Sequence, residues 1–310
     1  MIITCDKCQT RFRLDEAAIP DTTFRAKCSK CEHTFLVEPP KVAETNEPVL
    51  LSSDQIVPEK EPCKTISICN QKGGVGKTTT CMNVGASLAE MGFKVLLIDF
   101  DVQANLSILQ GCRSKESFFD VLDKNDPNAL TKAILKVRDN IWILPSNSRM
   151  ALMSKRFLQT KRFEYILKDR LQKLQSFFDY ILIDTPPSID FFTINALIAS
   201  DMAIIPTQSE FLAVNGVRHI ENMIKVIGEK TGHKVDFRVL ATMFDKNNMA
   251  AKVILNKLQK QYPQHMFETS IDYDEQLQES QISRKPVLVY ASDSSSAIQY
   301  LDLSKELIRR

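Results

Sequence analysis

Glycine is scarce in this chain, nine in 310 residues, and none precedes Gly73. That excludes a collagen-like polymer, whose every third residue is glycine. No apolar run approaches the ~18 residues that a membrane span needs. The opening MIITCDKC has neither a basic n-region nor an apolar h-region, so it does not read as a signal peptide. A basic excess is also missing: the formal charge is +2, and composition alone does not announce a nucleic-acid binder. What is present is ordinary, with 44% hydrophobic and 25% charged residues, which excludes a fully disordered chain. These features predict a cytoplasmic protein with no membrane partner. Its eight cysteines then read as thiols or metal ligands rather than disulfides.

Charge and glycine are unevenly spread. Residues 1–38 hold six basic and six acidic side chains, and residues 39–62 hold two and five. The remainder, 63–310, carries 32 basic and 27 acidic residues. Residues 39–62 contain five prolines and no clean period, the mark of an extended Pro-rich, acidic linker. Its short run Val49-Leu50-Leu51 is either a docking spot or a loosely packed piece of linker.

Beyond the linker, strand, turn and helix signals alternate. Apolar runs at Thr65–Cys69, Lys94–Ile98, Ile141–Leu144, Tyr180–Ile183, Met202–Ile205 and Val239–Thr242 read as buried strands. Helices are expected over 77–91, near 160–176, and over 213–230, 248–261 and 294–309. The alternation predicts an α/β fold with a doubly wound, mostly parallel sheet.

The first strand ends in Asn70-Gln71-Lys72-Gly73-Gly74-Val75-Gly76-Lys77-Thr78-Thr79, and a helix follows. A P-loop needs that context. Its glycines let successive N–H groups point at phosphate oxygens, and the helix N-terminus adds its positive end. Lys72, Gly73, Gly74, Val75, Gly76, Lys77, Thr78 and Thr79 are the candidate nucleotide-binding residues. Lys77 would pair with the β- and γ-phosphates, and Thr78 would place its hydroxyl on Mg²⁺.

The loop departs from G-x-x-x-x-G-K-[ST]. The first glycine of that pattern is missing after Asn70, and a second lysine, Lys72, lies near the start. In this the sequence resembles the deviant Walker A group, and specifically the ParA/MinD family of ATPases, over about four-fifths of the chain. Two further motifs follow in the expected order. Val95-Leu96-Leu97-Ile98-Asp99-Phe100-Asp101-Val102-Gln103-Ala104-Asn105 resembles the segment that delivers two aspartates, with Val102 at a usual proline. A lone D-x-D is often a solvated loop. Beside a P-loop strand it points to Mg²⁺ and the attacking water. Tyr180-Ile181-Leu182-Ile183-Asp184-Thr185-Pro186-Pro187 matches a Walker B strand, whose carboxylate holds Mg²⁺ through its water shell.

The resemblance implies a mechanism. Two subunits would sandwich two ATP molecules, with Lys72 reaching the partner's phosphates and neutralising the transferred phosphoryl. Lys72, Lys77 and Asp101 are the implied catalytic set, with Asp101 orienting water. Mg²⁺ would be served by Thr78, Asp99 and Asp184. Turnover would be slow and partner-stimulated, and ATP would favour the homodimer.

The C-terminal half both matches and departs. Ile204-Ile205-Pro206-Thr207, Ala241-Thr242-Met243-Phe244-Asp245 and Lys285-Pro286-Val287 also resemble the ParA pattern. Asn247, Tyr273 and Gln276 occupy positions where the family commonly has arginines that grip DNA. Asp272 and Asp274 replace a proline and an asparagine that usually lie near the nucleotide base. The remaining basic residues are Arg218, Lys225, Lys230, Lys234, Arg238, Lys246, Lys252, Lys257 and Lys260. They are either solvated helix faces or a salt-sensitive, non-specific DNA surface that would associate the protein with the nucleoid. The amphipathic end of the chain reads as a last core helix with Leu301 and Ile308 packed inward.

Cys5-x-x-Cys8 and Cys28-x-x-Cys31 are separated by 19 residues, a spacing that predicts a four-thiolate Zn²⁺ site. So small a module can bury little core, so the metal would hold it folded. It resembles the short zinc ribbons of bacterial N-termini, with Asp6 at a usual proline and Glu32 at a frequent glycine. His33 is not expected to be a ligand. Arg11, Arg13, Arg25, Lys27 and Lys30 could touch nucleic acid, but balancing acids favour docking of a protein partner. Cys63, Cys69, Cys81 and Cys112 read as buried free thiols.

The expected organisation is a zinc ribbon at 1–38, a linker at 39–62 and a ParA-like ATPase domain at 63–310. The expected function is ATP-dependent dimerisation and slow hydrolysis that position or segregate a cargo, either DNA or a protein assembly. The alternative is a nucleotide-gated regulator that binds nucleic acid through the ribbon.

Overall fold

The computed structural model of the chain describes residues 2–13, 23–37, 61–112, 116–123, 128–210 and 212–309. Val49-Leu50-Leu51 and nearly all of the 39–62 linker lie outside the described residues. The N-terminal part is two antiparallel hairpins, β1 (Ile2–Thr4) with β2 (Arg11–Arg13), and β3 (Phe24–Lys27) with β4 (Thr34–Val37). Ile3, Phe35 and Val37 are buried against Cys5 and Cys28.

A seven-stranded sheet forms the larger part. Its strands are β5 (Lys64–Ile68), β6 (Val95–Asp99), β7 (Leu135–Arg138), β8 (Ile141–Leu144), β9 (Tyr180–Asp184), β10 (Met202–Gln208) and β11 (Asp236–Thr242). The order is β11-β10-β5-β9-β6-β8-β7, parallel throughout except for the antiparallel edge pair β7–β8. The doubly wound reading holds. The edge strand β7 was not legible, because its half-exposed residues carry no apolar run. The central strands β6 and β9 are buried at every position, which is why they read as continuous apolar runs. β10 runs three residues beyond the expected Ile205 and contains Pro206. Proline is tolerated there because pairing with β5 ends at Ile204–Ile68.

The helices are α1 (Lys77–Glu90), α2 (Asn105–Leu109), α3 (Phe118–Asp123), α4 (Ala129–Ala133), α5 (Leu152–Phe157), α6 (Ile166–Leu171), α7 (Phe191–Ala199), α8 (Ala213–Thr231), α9 (Met249–Gln261), α10 (Glu275–Ile282), α11 (Val287–Tyr290) and α12 (Ser295–Ile308). Alternate strand residues face opposite layers. Ile66, Leu97, Leu182 and Ile204 pack with α1 and α12 on one face. Leu96, Ile98, Ile181 and Ile183 pack with α7 on the other, and Ala203, Ile205 and Val239 pack with α8 there. The helix expected near 160–176 is broken into 3-10 turns at Phe163–Tyr165 and Gln172–Leu174 flanking α6. The last helix packs on α1, but it buries Tyr300, Leu303 and Leu307, while Leu301 and Ile308 are only half-buried. Among the described residues no helix is long and apolar enough to cross a membrane.

Candidate nucleotide site and metal centre

The loop between β5 and α1 sits at the carboxyl ends of the parallel strands, where α/β sheets bind ligands. Gly74 and Gly76 have φ of 75° and 85°, backbone that side chains rarely adopt and that turns amides toward one point. The loop is pinned to strands remote in sequence. Asn70 donates from Nδ2 to the Pro206 carbonyl at 2.8 Å and accepts from the Lys72 amide at 3.0 Å. The Thr242 hydroxyl donates to the Val75 carbonyl at 2.9 Å. Asn70, just before the residue at the first-glycine position (Gln71), is thus a staple between P-loop and β10. The sequence signalled the departure but not this use.

Lys77 is buried, and its ammonium donates to the Lys72 carbonyl at 3.0 Å. Burial lowers its pKa, and the nearby Asp184 and Asp101 raise it. Asp184 is fully buried, and among the described residues neither carboxylate oxygen has a hydrogen-bond partner within reach. Burial, then the charge of Asp99, push its pKa well above the usual carboxylate range, while Thr78 and Lys77 pull against them. An orphaned carboxylate beside a lysine and a P-loop threonine is a site that a cation would satisfy, and Mg²⁺ fits it.

Asp99 pairs with Asp184 in the β6–β9 register but faces other donors. It accepts from the Ser107 amide at 2.8 Å, the Ser107 hydroxyl at 2.6 Å and the Asp101 amide at 3.2 Å. Burial raises its pKa to about 6 against those bonds. Ser107 was not legible as part of the site, because its tie to Asp99 crosses from α2 to β6. Asp101 accepts from the Gln103 amide at 3.0 Å, and its carbonyl accepts from the Ser146 hydroxyl at 2.6 Å.

Lys72 lies at the rim. Its ammonium donates to Gln208 Oε1 at 3.1 Å and forms an ion pair with Glu210, both at the end of β10. Beside Gly76 and Thr79 a pocket is lined by Thr242, Met243, Asp272 and Asp274. Asp272 is buried, paired with Lys246 at 2.7 Å, and accepts from Gln299 Nε2 at 2.7 Å. Asp274 caps α10 through the Gln276 amide at 2.9 Å and accepts from the Ser296 amide and hydroxyl at 3.1 and 2.7 Å. Tyr273 is exposed. Arg238 and Lys246 are engaged by Asp236 and Asp272.

In the ribbon, two equivalent turns present the cysteines. The Gln9 amide donates to the Cys5 carbonyl and the Glu32 amide to the Cys28 carbonyl, each at 2.9 Å. Gln9 and Glu32 take φ of 56° and 59°, so Glu32 adopts the backbone that its usual glycine would take. The Sγ atoms of Cys5, Cys8, Cys28 and Cys31 lie within 4.8 Å of one another, a cluster that four-coordinate Zn²⁺ fits. Hydrogen bonding with Thr10 holds the Cys8 thiol down to about 6, whereas Cys31, against a backbone hydrogen bond at His33, is pushed up to about 12 by burial and the neighbouring thiols. His33 is outside the cluster. Its Nε2 pairs with Asp6 at 2.9 Å. Of the other thiols, Cys69 and Cys81 are buried, but Cys63 and Cys112 are only partly so.

The fold and site define a P-loop nucleoside triphosphatase on a doubly wound sheet, preceded by a zinc ribbon. A family described as an AAA domain matches residues 63–239, and a zinc-ribbon domain matches residues 1–36. The sporulation initiation inhibitor protein Soj of Bacillus subtilis is 34% identical, over 79% of this chain and 98% of that protein. The chromosome partitioning protein ParA of Caulobacter vibrioides is 31% identical, over 80% of this chain and 95% of that protein. The structure of cobyrinic acid a,c-diamide synthase from Mycobacterium smegmatis, with an ATP analog and magnesium, has TM-score 0.69 and 29% identity. That match covers 80% of this chain and 95% of the other. The chain belongs to the ParA/Soj family of partitioning P-loop ATPases, with ATP and Mg²⁺ as cofactors and a zinc ribbon at its N-terminal end.

Proposed function

We propose that this chain hydrolyses ATP to ADP and phosphate slowly, dimerises when ATP is bound, and thereby positions or segregates a cargo. Its division is 1–38 for the ribbon, 39–62 for the linker and 63–310 for the ATPase. One observation carries the reading: two lysines serve one loop and point different ways. Lys77 lies buried toward Asp184, while Lys72 is held on the rim by Gln208 and Glu210. A rim lysine on a flexible stem can leave an exposed ion pair, worth at most about 1 kcal/mol, for a partner's phosphate.

Each residue then has a task. The amides of Gly73, Gly74, Val75 and Gly76 and the side chain of Thr79 hold phosphate oxygens, and Lys77 neutralises the β,γ-bridge. Thr78 and Asp184 hold Mg²⁺, which when bound spreads the charge of the transferred phosphoryl. Asp99, engaged by Ser107, supports the cation site from behind. Asp101 orients water through the carboxylate oxygen that Gln103 does not engage. Lys72 of each subunit completes the partner's site.

Activation by a protein partner and docking through the ribbon extend the same reading. The ribbon's exposed Arg25 and Lys27 keep the nucleic-acid alternative in view. With Arg238 and Lys246 already paired, DNA affinity would rest on exposed lysines of α8 and α9 such as Lys225, Lys252 and Lys257.

The deciding experiment is non-specific DNA binding by Asp101→Ala with ATP and with ADP across a salt series. This variant should hold the ATP dimer. Binding with ATP only, weakening steeply with salt, is the expected result. No binding by a confirmed dimer would remove DNA as the track and direct attention to protein partners of residues 1–38.

A further inference from the structure

An apolar groove of about 570 Å³ lies between α7 and α8, and no residue given a part in the nucleotide chemistry lines it. Ile194 and Ile198, one turn apart on α7, face Met223 and Val226 of α8, with Phe163 closing one side. Val226 is 45% exposed and Ile189, at the edge, 39%. An apolar cleft open to water can seat a short apolar segment. It runs along α8 from His219 to Thr231, about 18 Å at 1.5 Å per residue, room for about five extended residues.

The main chain itself supplies the clue to the occupant. At the Thr231 end, the Thr231 hydroxyl accepts from the His233 amide, and His233 Nε2 lies 2.9 Å from the Ser200 carbonyl. The next residue, Asp201, exchanges two bonds of 2.8 Å with the Thr65 backbone. Thr65 lies two residues after Cys63, so the linker joins the ATPase fold beside this end of the groove. Residues 39–62 hold one run of three apolar residues, Val49-Leu50-Leu51. The twelve residues from Leu51 to Cys63 span up to about 40 Å, more than the groove's length. A tether this short sets an effective concentration of order mM, so a weak apolar contact suffices. The linker holds five acids against two bases, and the groove carries one charge of each sign, Lys230 at the Thr231 end and Glu164, so the apolar contact rather than charge holds the run.

We propose that Val49-Leu50-Leu51 docks in cis in the groove between α7 and α8. The far end of the groove explains why this matters. His219 Nδ1 lies 2.6 Å from Gln71 Oε1, one residue before Lys72, and Ile189 lies on the loop that follows Asp184. A linker seated there lies against His219 and Ile189, each adjoining an element that borders the nucleotide site.

The test uses the full chain with p-benzoylphenylalanine at position 50, irradiated and mapped by mass spectrometry, with light and heavy isotope-labelled chains mixed. Adducts within one chain, to residues 189–198 or 219–231, are expected. Val226→Glu, at an exposed position that leaves the core intact, should lower their yield about tenfold. Adducts only between light and heavy chains would assign the groove to a second copy and overturn the proposal. Adducts elsewhere, no adduct, or a yield insensitive to Val226→Glu would also overturn it. The readout is contact rather than turnover, so it stands or falls apart from the proposed function.

Discussion

Three carboxylates and a buried lysine share the P-loop end of the sheet, and their surroundings separate them. Asp184 is orphaned, Asp99 is hydrogen-bonded by Ser107, and Asp101 is tied to the following turn. Asp99, raised to about 6 in the fold, has an ordinary value near 4 in the unfolded chain. Below pH ~4 both states hold the proton, and the group is neutral in the balance. Between pH ~4 and 6 the unfolded chain releases its proton first, so stability falls as pH rises and the cost is complete above ~6. Asp99→Asn keeps an acceptor for Ser107 and removes this titration. In metal-free protein the variant should gain on the wild type by about 2–3 kcal/mol between pH 4 and 7, read by urea unfolding. A constant difference across that range would refute the assignment. Serine 107 shows why the sequence was mute here: nothing in its neighbourhood marks it as a carboxylate's partner.

The elements of the site are held by close approach and by caps. α1 lies directly on the sheet because Gly85 lacks a side chain: a Cβ there would stand 2.7 Å from Leu97 Cδ2 and 3.6 Å from Leu182 Cδ1. Gly85→Ala should therefore destabilise by about 1 kcal/mol, the overpacking exceeding the helix-propensity gain. Leu97→Val in the same chain should recover most of that loss. Denaturant midpoints for the two variants check this, and a Gly85→Ala protein more stable than the wild type would contradict it. α10 and α12 are joined by one carboxylate, Asp274, which accepts from both helix starts. Asp272 and Asp274 thus hold loops together beside the pocket, where a proline and an asparagine were the expected residues.

The two folded parts of the molecule depend on different forces. The ATPase part buries extensive apolar surface on both faces of its sheet. Among its described residues the ribbon buries Ile3, Phe35, Val37 and two of its own cysteines, little apolar surface to hold four short strands. Binding four thiolates to zinc supplies the difference. Chelation under reducing conditions should abolish amide protection over β1 to β4 and leave the melting of the ATPase part unchanged. Persistent protection after complete zinc removal would show that the ribbon folds without metal.

The sequence by itself determined what is written in consecutive residues. Lys72-Gly73-Gly74-Val75-Gly76-Lys77-Thr78-Thr79, Asp99-Phe100-Asp101, the strand ending in Asp184 and the two cysteine pairs each place their donors through local backbone geometry. The tertiary structure alone decided what depends on distant partners. Asn70 meets Pro206, Lys72 meets Glu210 across 138 residues, and Asp272 meets Lys246 and Gln299. The same holds for the edge strand β7, the broken helix before β9, the inward face of α12 and the groove between α7 and α8. Local propensity fixes which way a segment turns, but only the packed sheet fixes which charge, donor or apolar face it turns toward.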